Sequence, residues 1–193
     1  PGTDDSQVRG SSGAISGQAP VIEPLNPPPA PGPSAGVPLN NAAPFGILAG
    51  TAVTCITGGL VNAQIGIFPG STLTGFGPCV ATGPLHLGDA VANNAQNDLT
   101  TAYNTLAGLP CPPANAIVAD LGGTTKPAGV YCTASGIGVT GPLTLDGGGD
   151  PNAVFVFQAG TSLTTAGSVI LINGAHCNKV FWQVGSSATF GTG

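Results

Sequence analysis

Histidine and paired aspartates are the residue types in this chain that would suit catalysis or metal binding. The two histidines are His86 and His176, and neither stands in a recognisable catalytic pattern. A histidine that acts as a general base needs a nucleophile within hydrogen-bond reach and a carboxylate to orient its ring. We therefore predict two turn or surface histidines and a protein that is not an enzyme.

A glycine-rich segment, DGGGD, places Asp146 and Asp150 four residues apart. A calcium loop needs six or more oxygen ligands, usually from more carboxylates than these two. The segment does not fit a phosphate-binding loop either, because no lysine follows it and the AVFVF that comes next is typical of a strand. We expect a tight turn here, with no metal and no cofactor.

The chain has five cysteines, and none of them forms a CxxC pair, which argues against structural zinc and against a thioredoxin-like redox motif. In an extracellular setting they would form two disulfides and leave one thiol. Neighbouring coils of a stacked fold would bring Cys55 to Cys79 and Cys111 to Cys132, although five cysteines allow many pairings. Cys177 would then remain, either as a buried free thiol or in an intermolecular bond.

Charge is scarce: charged residues make up 6% of the 193 residues, with only three basic residues and a net charge of −5. No basic patch is available to neutralise phosphates, so nucleic acid and anionic membrane surfaces are excluded as partners. The most apolar run, residues 169–172, is too short to insert across a bilayer. With 41% hydrophobic residues the chain can still form a core.

Residues 1–40 form a proline-rich arm, and eight of the 19 prolines lie between Pro20 and Pro38. Such a segment cannot be a helix or a central strand, so it should be extended and partly polyproline II. A flexible linker or stalk is one interpretation. Spaced apolar residues favour an arm that packs into a groove: Ile15, Val21, Ile22, Leu25, Val37 and Leu39.

The elements that would position any site are short strands from Phe45 onward, interrupted by one helix over about residues 89–107. Asp89 can cap the start of this helix, and Gly108 with Pro110 would end it. The apolar stripe that would pack on the strands recurs every four residues, at Val91, Ala95, Leu99 and Tyr103, and is widened by Ala92 and Leu106.

A repeat is visible after Pro127. Apolar residues recur 18 apart at Leu145, Leu163 and Phe181, and glycines do so at 149, 167 and 185. A repeat of 18–20 residues with inward apolar side chains and corner glycines predicts solenoid coils of three short strands. Successive coils would stack at about 4.8 Å.

Several long segments from about residue 44 to 193 resemble the ice-binding-like family. They are FGILAGTAVT (45–54), IGIFPGSTLTGF (65–76), DLTTAYNTLAG (98–108), PAGVY (127–131), LTLDGGGDPNAVFVFQAGTSLTT (143–165) and VFWQVGSSATFGTG (180–193). The resemblance implies an all-β dominated fold, an irregular right-handed β-solenoid of triangular section with one long α-helix alongside. Residues 41–193 would form this domain, and the extended arm would precede it.

In this family, threonine-bearing strands suggest a flat face whose hydroxyl and methyl groups order water into an ice-like layer. The corresponding candidates are Thr72, Thr74, Thr140, Thr144, Thr161 and Thr164, together with Thr165. Thr164 and Thr165 are adjacent and would point to opposite sides of a strand, so these residues do not all share one face.

The leading functional hypothesis is a secreted structural protein that assembles with copies of itself into a filament or surface layer. The family domain normally continues beyond the segment at 180–193, which leaves an open strand edge. The arm of one subunit, anchored by Val21, Ile22 and Leu25, would add to the open edge of the next, and a head-to-tail contact of this kind propagates. A chain that begins at Pro1 without an initiator Met fits a processed, extracellular or cell-surface protein.

The alternative is an ice-binding protein that uses its threonine face, with the arm as a stalk and with ice or another solid surface as partner. An adhesin that binds glycans or other solids ranks last, because no residue pattern identifies a ligand.

Overall fold

The computed structural model describes residues 36–56, 58–76 and 79–191. These residues contain one long helix, α1 (Ala90–Ala107). The strands are β1 (Phe45–Ala49), β2 (Ala52–Thr54), β3 (Gly59–Val61), β4 (Gln64–Ile67), β5 (Thr72–Thr74), β6 (Cys79–Ala81), β7 (Leu85–Leu87), β8 (Thr125–Pro127), β9 (Gly129–Thr133), β10 (Ile137–Val139), β11 (Leu143–Asp146), β12 (Phe155–Ala159), β13 (Ser162–Thr165), β14 (Val169–Ile172), β15 (Val180–Val184) and β16 (Ser187–Phe190). Three short 3-10 turns lie at Asn40–Ala42, Pro113–Asn115 and Cys177–Lys179.

Every strand pairs in parallel with a strand three places away in the chain. In the N-terminal coils the sheets are β1-β4-β7, β2-β5 and β3-β6. In the C-terminal coils they are β8-β11-β14, β9-β12-β15 and β10-β13-β16. Three strands thus complete one coil, and successive coils stack by parallel pairing. The predicted β-solenoid with one long helix is confirmed.

The predicted period is wrong for most of the C-terminal coils. Leu145 pairs with Leu171, 26 residues on, whereas Leu163 pairs with Ala188 and Phe181 with Val156. The residues that recur every 18 positions therefore lie in three different sheets. The reason is that extra loops at residues 147–154 and 173–179 lengthen each coil at one corner without disturbing strand register. Coils of 18–20 residues occur only where such loops are absent, from β1 to β7 and from β8 to β11.

The core of the C-terminal coils is deep and aromatic. Phe157 is fully buried and stacks between Tyr131 and Trp182, with ring centroids 5.3 and 4.2 Å apart. These rings belong to β9, β12 and β15, at one register position. Fully buried aliphatic side chains from the other two sheets complete this core: Val139, Leu143, Leu145 and Leu163.

The helix has the predicted ends. The Asp89 carboxylate accepts a hydrogen bond from the Ala92 N–H at 2.9 Å, and Gly108 caps the last turn. The predicted four-residue stripe is wrong in part, because the buried positions are Ala92, Ala95, Ala102 and Leu106. Val91 and Tyr103 are 47% and 38% exposed. An α-helix has 3.6 residues per turn, so residues spaced strictly four apart move gradually off the buried face. Residues spaced alternately three and four apart stay on it.

Residues at one register position of β9, β12 and β15 bind the helix and the segment that follows it. Cys132 forms a disulfide with Cys111, which follows the helix. Gln158 Nε2 donates to the carbonyl of Leu106 in the last helical turn (2.6 Å) and to that of Leu109 just beyond the helix (3.0 Å). Gln183, which is buried, donates to the Tyr103 hydroxyl at 2.7 Å. Each coil therefore contributes one side chain that ties the helix region to the sheet.

Only the end of the proline-rich arm lies within the described residues. Val37 packs against a buried cluster of its own molecule that includes Leu106 and Val156, as Phe181 also does. Leu39 is partly exposed beside a 3-10 turn, where its carbonyl accepts from the Ala42 N–H. The other predicted arm residues, Ile15, Val21, Ile22 and Leu25, lie outside the described residues.

The cysteines join as the coil spacing suggested. Cys55 is bonded to Cys79 and Cys111 to Cys132, with Cα atoms 6.3 and 6.1 Å apart. Cys177 is free and exposed, so the expectation of a buried thiol is wrong. Its 3-10 turn lies in one of the corner loops, where a side chain projects away from the core.

A hydroxyl-bearing face as the candidate functional site

A four-residue pattern leads into one strand of each coil. It consists of a hydroxyl residue, a small residue, an aliphatic residue and usually threonine. The segments are TAVT (51–54), STLT (71–74), SGIG (135–138), TSLT (161–164) and SSAT (186–189), at β2, β5, β10, β13 and β16. Strand alternation turns the third residue toward the core, as with buried Ile137 and Leu163, and the fourth outward.

Strand register places the outward residues of these segments in columns. Thr54 is opposite Thr74. The fourth residues of the segments at β10, β13 and β16 align as Gly138, Thr164 and Thr189. Ser162 is likewise opposite Ser187. Neighbouring members of a column are about 4.8 Å apart, and alternate residues along a strand are about 6.7 Å apart. We call the outward residues of β2, β5, β10, β13 and β16 the hydroxyl face.

The two sets of coils contribute to the same side of the molecule. A groove of about 550 Å³ is lined by Leu48 of β1, Tyr103 of α1 and Val184 of β15, so β1 follows β15 along the solenoid. The helix packs on β4 and β7 as well as on β12 and β15. Parallel strands with crossovers of one hand then place β2 and β5 on the same side as β10, β13 and β16.

The hydroxyl face is exposed and its strand residues are uncharged. Thr54, Thr74, Thr164 and Thr189 are all exposed. The Thr54 and Thr74 hydroxyls hydrogen-bond to each other at 2.9 Å. Each threonine also presents a methyl group, so the surface combines regularly placed hydroxyls with small apolar groups.

The carboxylate of Asp120 lies at the edge of this face. Its Oδ1 atom accepts hydrogen bonds from the Gly122 N–H (2.7 Å), the Thr140 N–H and the Thr140 hydroxyl (both 3.1 Å). The Thr140 N–H is the main reason that the pKa of Asp120 lies below its usual range. Asp120 is therefore ionised at neutral pH.

The third side of the solenoid is formed by β3, β6, β8, β11 and β14, and its chemistry differs from that of the hydroxyl face. We call it the aliphatic side. Its outward residues include Leu60 and Val80, which are 67% and 53% exposed, and the exposed Ile170 and Ile172. Asp146 lies in the same register as Ile172, and hydrogen bonds from Gly148 N–H and Asn173 lower its pKa. This side is mainly aliphatic and carries a charge, and its aligned Thr125–Thr144 pair is followed in the same register by Ile170.

The structure brings together only some of the predicted threonines. Thr72, Thr74 and Thr164 lie on the hydroxyl face, and Thr161 lies at the corner that precedes it. The Thr140 hydroxyl already donates a hydrogen bond to Asp120. Thr144 lies on the aliphatic side, in register with Ile170.

Thr165 pairs with Val139 and points with it toward the interior. Sequence reasoning missed members of the face, namely Thr54, Ser162, Ser187 and Thr189. The four-residue pattern was the signal that could have identified them.

The remaining candidates for chemistry serve local structure. His86 Nδ1 lies 2.8 Å from Asp89 Oδ2. The hydrogen bond from the Ala92 N–H is the main reason that the pKa of Asp89 is lowered, and the hydrogen bond with His86 is the second. His176 is exposed next to the turn at Cys177–Lys179.

Asp146 and Asp150 cap the backbone of a glycine-rich turn by accepting hydrogen bonds from the N–H groups of Gly148 and Asn152. Among residues 36–56, 58–76 and 79–191, no group of three His, Cys, Asp or Glu side chains could hold a metal ion.

Over the same stretches of chain, no helix has the length and hydrophobicity that a bilayer crossing requires.

Comparison with known proteins gives a consistent result. A family model described as ice-binding-like matches residues 47–193. An ice-binding protein of Nostoc sp. (strain HG1) is 47% identical over 157 residues, which cover 80% of this chain and 58% of the relative. Ice-binding protein 1 of Shewanella frigidimarina is 35% identical over 80% of this chain and 21% of its own length. The chain thus spans less than two thirds of the length of either curated relative.

Solved structures agree with the fold. An ice-binding protein from an Antarctic biological consortium superposes with a TM-score of 0.81 and 37% identity, covering 85% of this chain and 75% of that one. The ice-binding protein of the ascomycete Antarctomyces psychrotrophicus gives a TM-score of 0.76 and 42% identity, covering 81% and 78%.

Proposed function

The chain belongs to the ice-binding-like family, as its sequence segments predicted, and we propose that it binds ice through the hydroxyl face. The observation that carries this proposal is the set of aligned threonine and serine columns on an exposed surface whose strand residues are uncharged. The relatives named as ice-binding proteins support this alternative over the filament subunit that ranked first on sequence alone.

The mechanism is adsorption. Hydroxyls at fixed spacings of about 4.8 and 6.7 Å can each hold a water molecule by hydrogen bonds, while the neighbouring methyl groups leave the adjacent water unbound to protein. Water that is already ordered in two dimensions can join the surface layer of a crystal. The array must be rigid for this, and the backbone ladders and buried Leu163 beneath it supply that rigidity.

The other sides of the solenoid suit this task less well. The sheet β9-β12-β15 faces α1 and the residues around Val37, so ice cannot reach most of it. The aliphatic side carries the ionised Asp146 in register with Ile172, and its Thr125–Thr144 pair is followed by Ile170. The hydroxyl face is the side that is both regular and open.

The proposal involves no catalysis and no cofactor, and the partner is a solid surface. Two disulfides within one small domain fit an oxidising, extracellular compartment, which is where growing ice would be met.

The test is to place a bulky side chain on the proposed face. Thr164→Tyr and Thr189→Tyr would project a ring above the columns without entering the core, since both residues are exposed. The matched control is Thr125→Tyr, an exposed strand threonine on the aliphatic side. Thermal hysteresis and inhibition of ice recrystallisation are measured at equal concentration, with the melting temperature as a check on folding.

We expect the two face variants to lose most of their ice activity and the control to keep it. Equal loss in the control would move the site to another side of the molecule. An inactive wild-type protein would refute ice binding altogether.

A further inference from the structure

The hydroxyl face is interrupted at β10. Gly138 of this strand is in register with Thr164 of β13, and Gly136, just before the strand, is likewise glycine where β13 begins with Ser162. The Thr164–Thr189 column therefore ends after two members, although a third strand continues the sheet.

The Asp120 carboxylate occupies the place of the missing side chain. A Cβ atom built on Gly138 would collide with Asp120 Oδ2, and nothing else except more distant atoms of Asp120 lies nearby. All three hydrogen bonds to this carboxylate end on Oδ1, so the carboxylate is held in position while Oδ2 stands over β10. A shallow groove of about 280 Å³ runs between Asp120, Ser135 and Gly138.

An ionised carboxylate binds its water tightly, and removing or rearranging that water costs far more free energy than doing so at a hydroxyl. Water around Oδ2 is oriented toward the charge and cannot follow the pattern of the neighbouring column. The Asp120 charge should therefore stop the ordered layer at β13.

Building on the proposed function, we infer that Asp120 limits the part of the hydroxyl face that binds ice, so that removing its charge extends the ordered water layer from β13 onto β10. The C-terminal part of the face would grow from two strands to three, and ice activity at equal concentration would rise roughly 1.5-fold, in proportion to the number of stacked strands. Asp120 is thus a residue that limits activity, in contrast to the threonines that supply it.

The experiment compares Asp120→Asn with Asp146→Asn. Asparagine keeps an oxygen that can accept from Gly122 and Thr140, so the turn is preserved while the charge is lost. Asp146 is the matched control because it caps a turn through Gly148 in the same way, has a pKa lowered by hydrogen bonds, and lies on the aliphatic side. Thermal hysteresis and melting temperature are measured for both variants and for wild type.

We expect higher thermal hysteresis for Asp120→Asn and no change for Asp146→Asn. A gain cannot arise from damage to the fold. A second variant, Asp120→Ala with Gly138→Thr, removes the collision and restores the third column member, so it should match or exceed the first.

The inference is overturned if both Asp120 variants fold with wild-type melting temperatures and show wild-type or lower activity. If Asp146→Asn gives the same gain, net charge and not the position of Asp120 is responsible, which also overturns it. The two proposals fail separately: loss of activity in Thr164→Tyr upholds the hydroxyl face whatever Asp120→Asn does.

Discussion

The two sets of coils solve the same packing problem with different interiors. The N-terminal coils advance 18–20 residues per turn, and their fully buried large side chains are Ile65 and Ile67. The C-terminal coils reach 25 or 26 residues and enclose the Tyr131–Phe157–Trp182 stack. The shorter coils therefore bury large aliphatic side chains where the longer coils bury aromatic rings.

The smaller coils compensate from outside their core. The Cys55–Cys79 disulfide links two successive N-terminal coils, and α1 packs along β1, β4 and β7. The same helix also packs on β12 and β15, so it connects the two interiors. The C-terminal coils have a disulfide too, but Cys111–Cys132 joins β9 to the segment after α1, whereas Cys55–Cys79 joins one coil to the next. A solenoid with a small interior thus gains from a covalent link between its own coils.

The largest effect should follow from emptying the aromatic interior. Phe157→Ala should lower the free energy of unfolding by about 4 kcal/mol, because it removes a fully buried ring and leaves a cavity. Ile65→Ala, the counterpart in the N-terminal coils, should cost about 3 kcal/mol. Chemical denaturation measures both. A larger cost for Ile65→Ala would contradict the view that the aromatic stack dominates stability.

Removing the N-terminal cross-link should have the next largest effect. Cys55→Ser with Cys79→Ser frees a chain segment spanning 24 residues, and it should cost about 3 kcal/mol through the larger entropy of the unfolded state. Amide hydrogen exchange would locate the loss. We expect it in β1 to β6, and equal loss in β9, β12 and β15 would mean that the two sets of coils unfold as one unit.

The smallest effect should come from loosening the helix that joins the two interiors. Tyr103→Phe removes the acceptor of buried Gln183 Nε2 and the donor to the Val184 carbonyl, at a cost of about 1–2 kcal/mol. The matched control is Tyr131→Phe, which removes a hydroxyl bond to the Pro127 carbonyl inside the C-terminal coils.

Both variants should be destabilised, but only Tyr103→Phe should broaden the thermal transition or split it into two, as calorimetry would detect. Splitting in Tyr131→Phe as well would show that the helix contact is not what couples the coils.

Part of the candidate site could be predicted from sequence and part could not. Thr72, Thr74 and Thr164 were identified because threonine in short strands is the family's signal, and they do share the hydroxyl face. Thr140 and Thr144 were included with equal reason and lie elsewhere. A strand face follows from register, and register depends on which coil lies alongside, which a local segment does not contain.

Local chemistry in the sequence determined the helix ends, the strand-rich solenoid and the spacing of the bonded cysteines. Asp89 and Gly108 act on their own neighbouring backbone, so their effect can be predicted without the rest of the chain. Tertiary structure decided the coil length, the shared side of Thr54 and Thr164 and the packing of Val37. Corner loops can add residues without changing which strands pair, because parallel pairing is selected by side-chain packing inside the coil and not by chain length between strands.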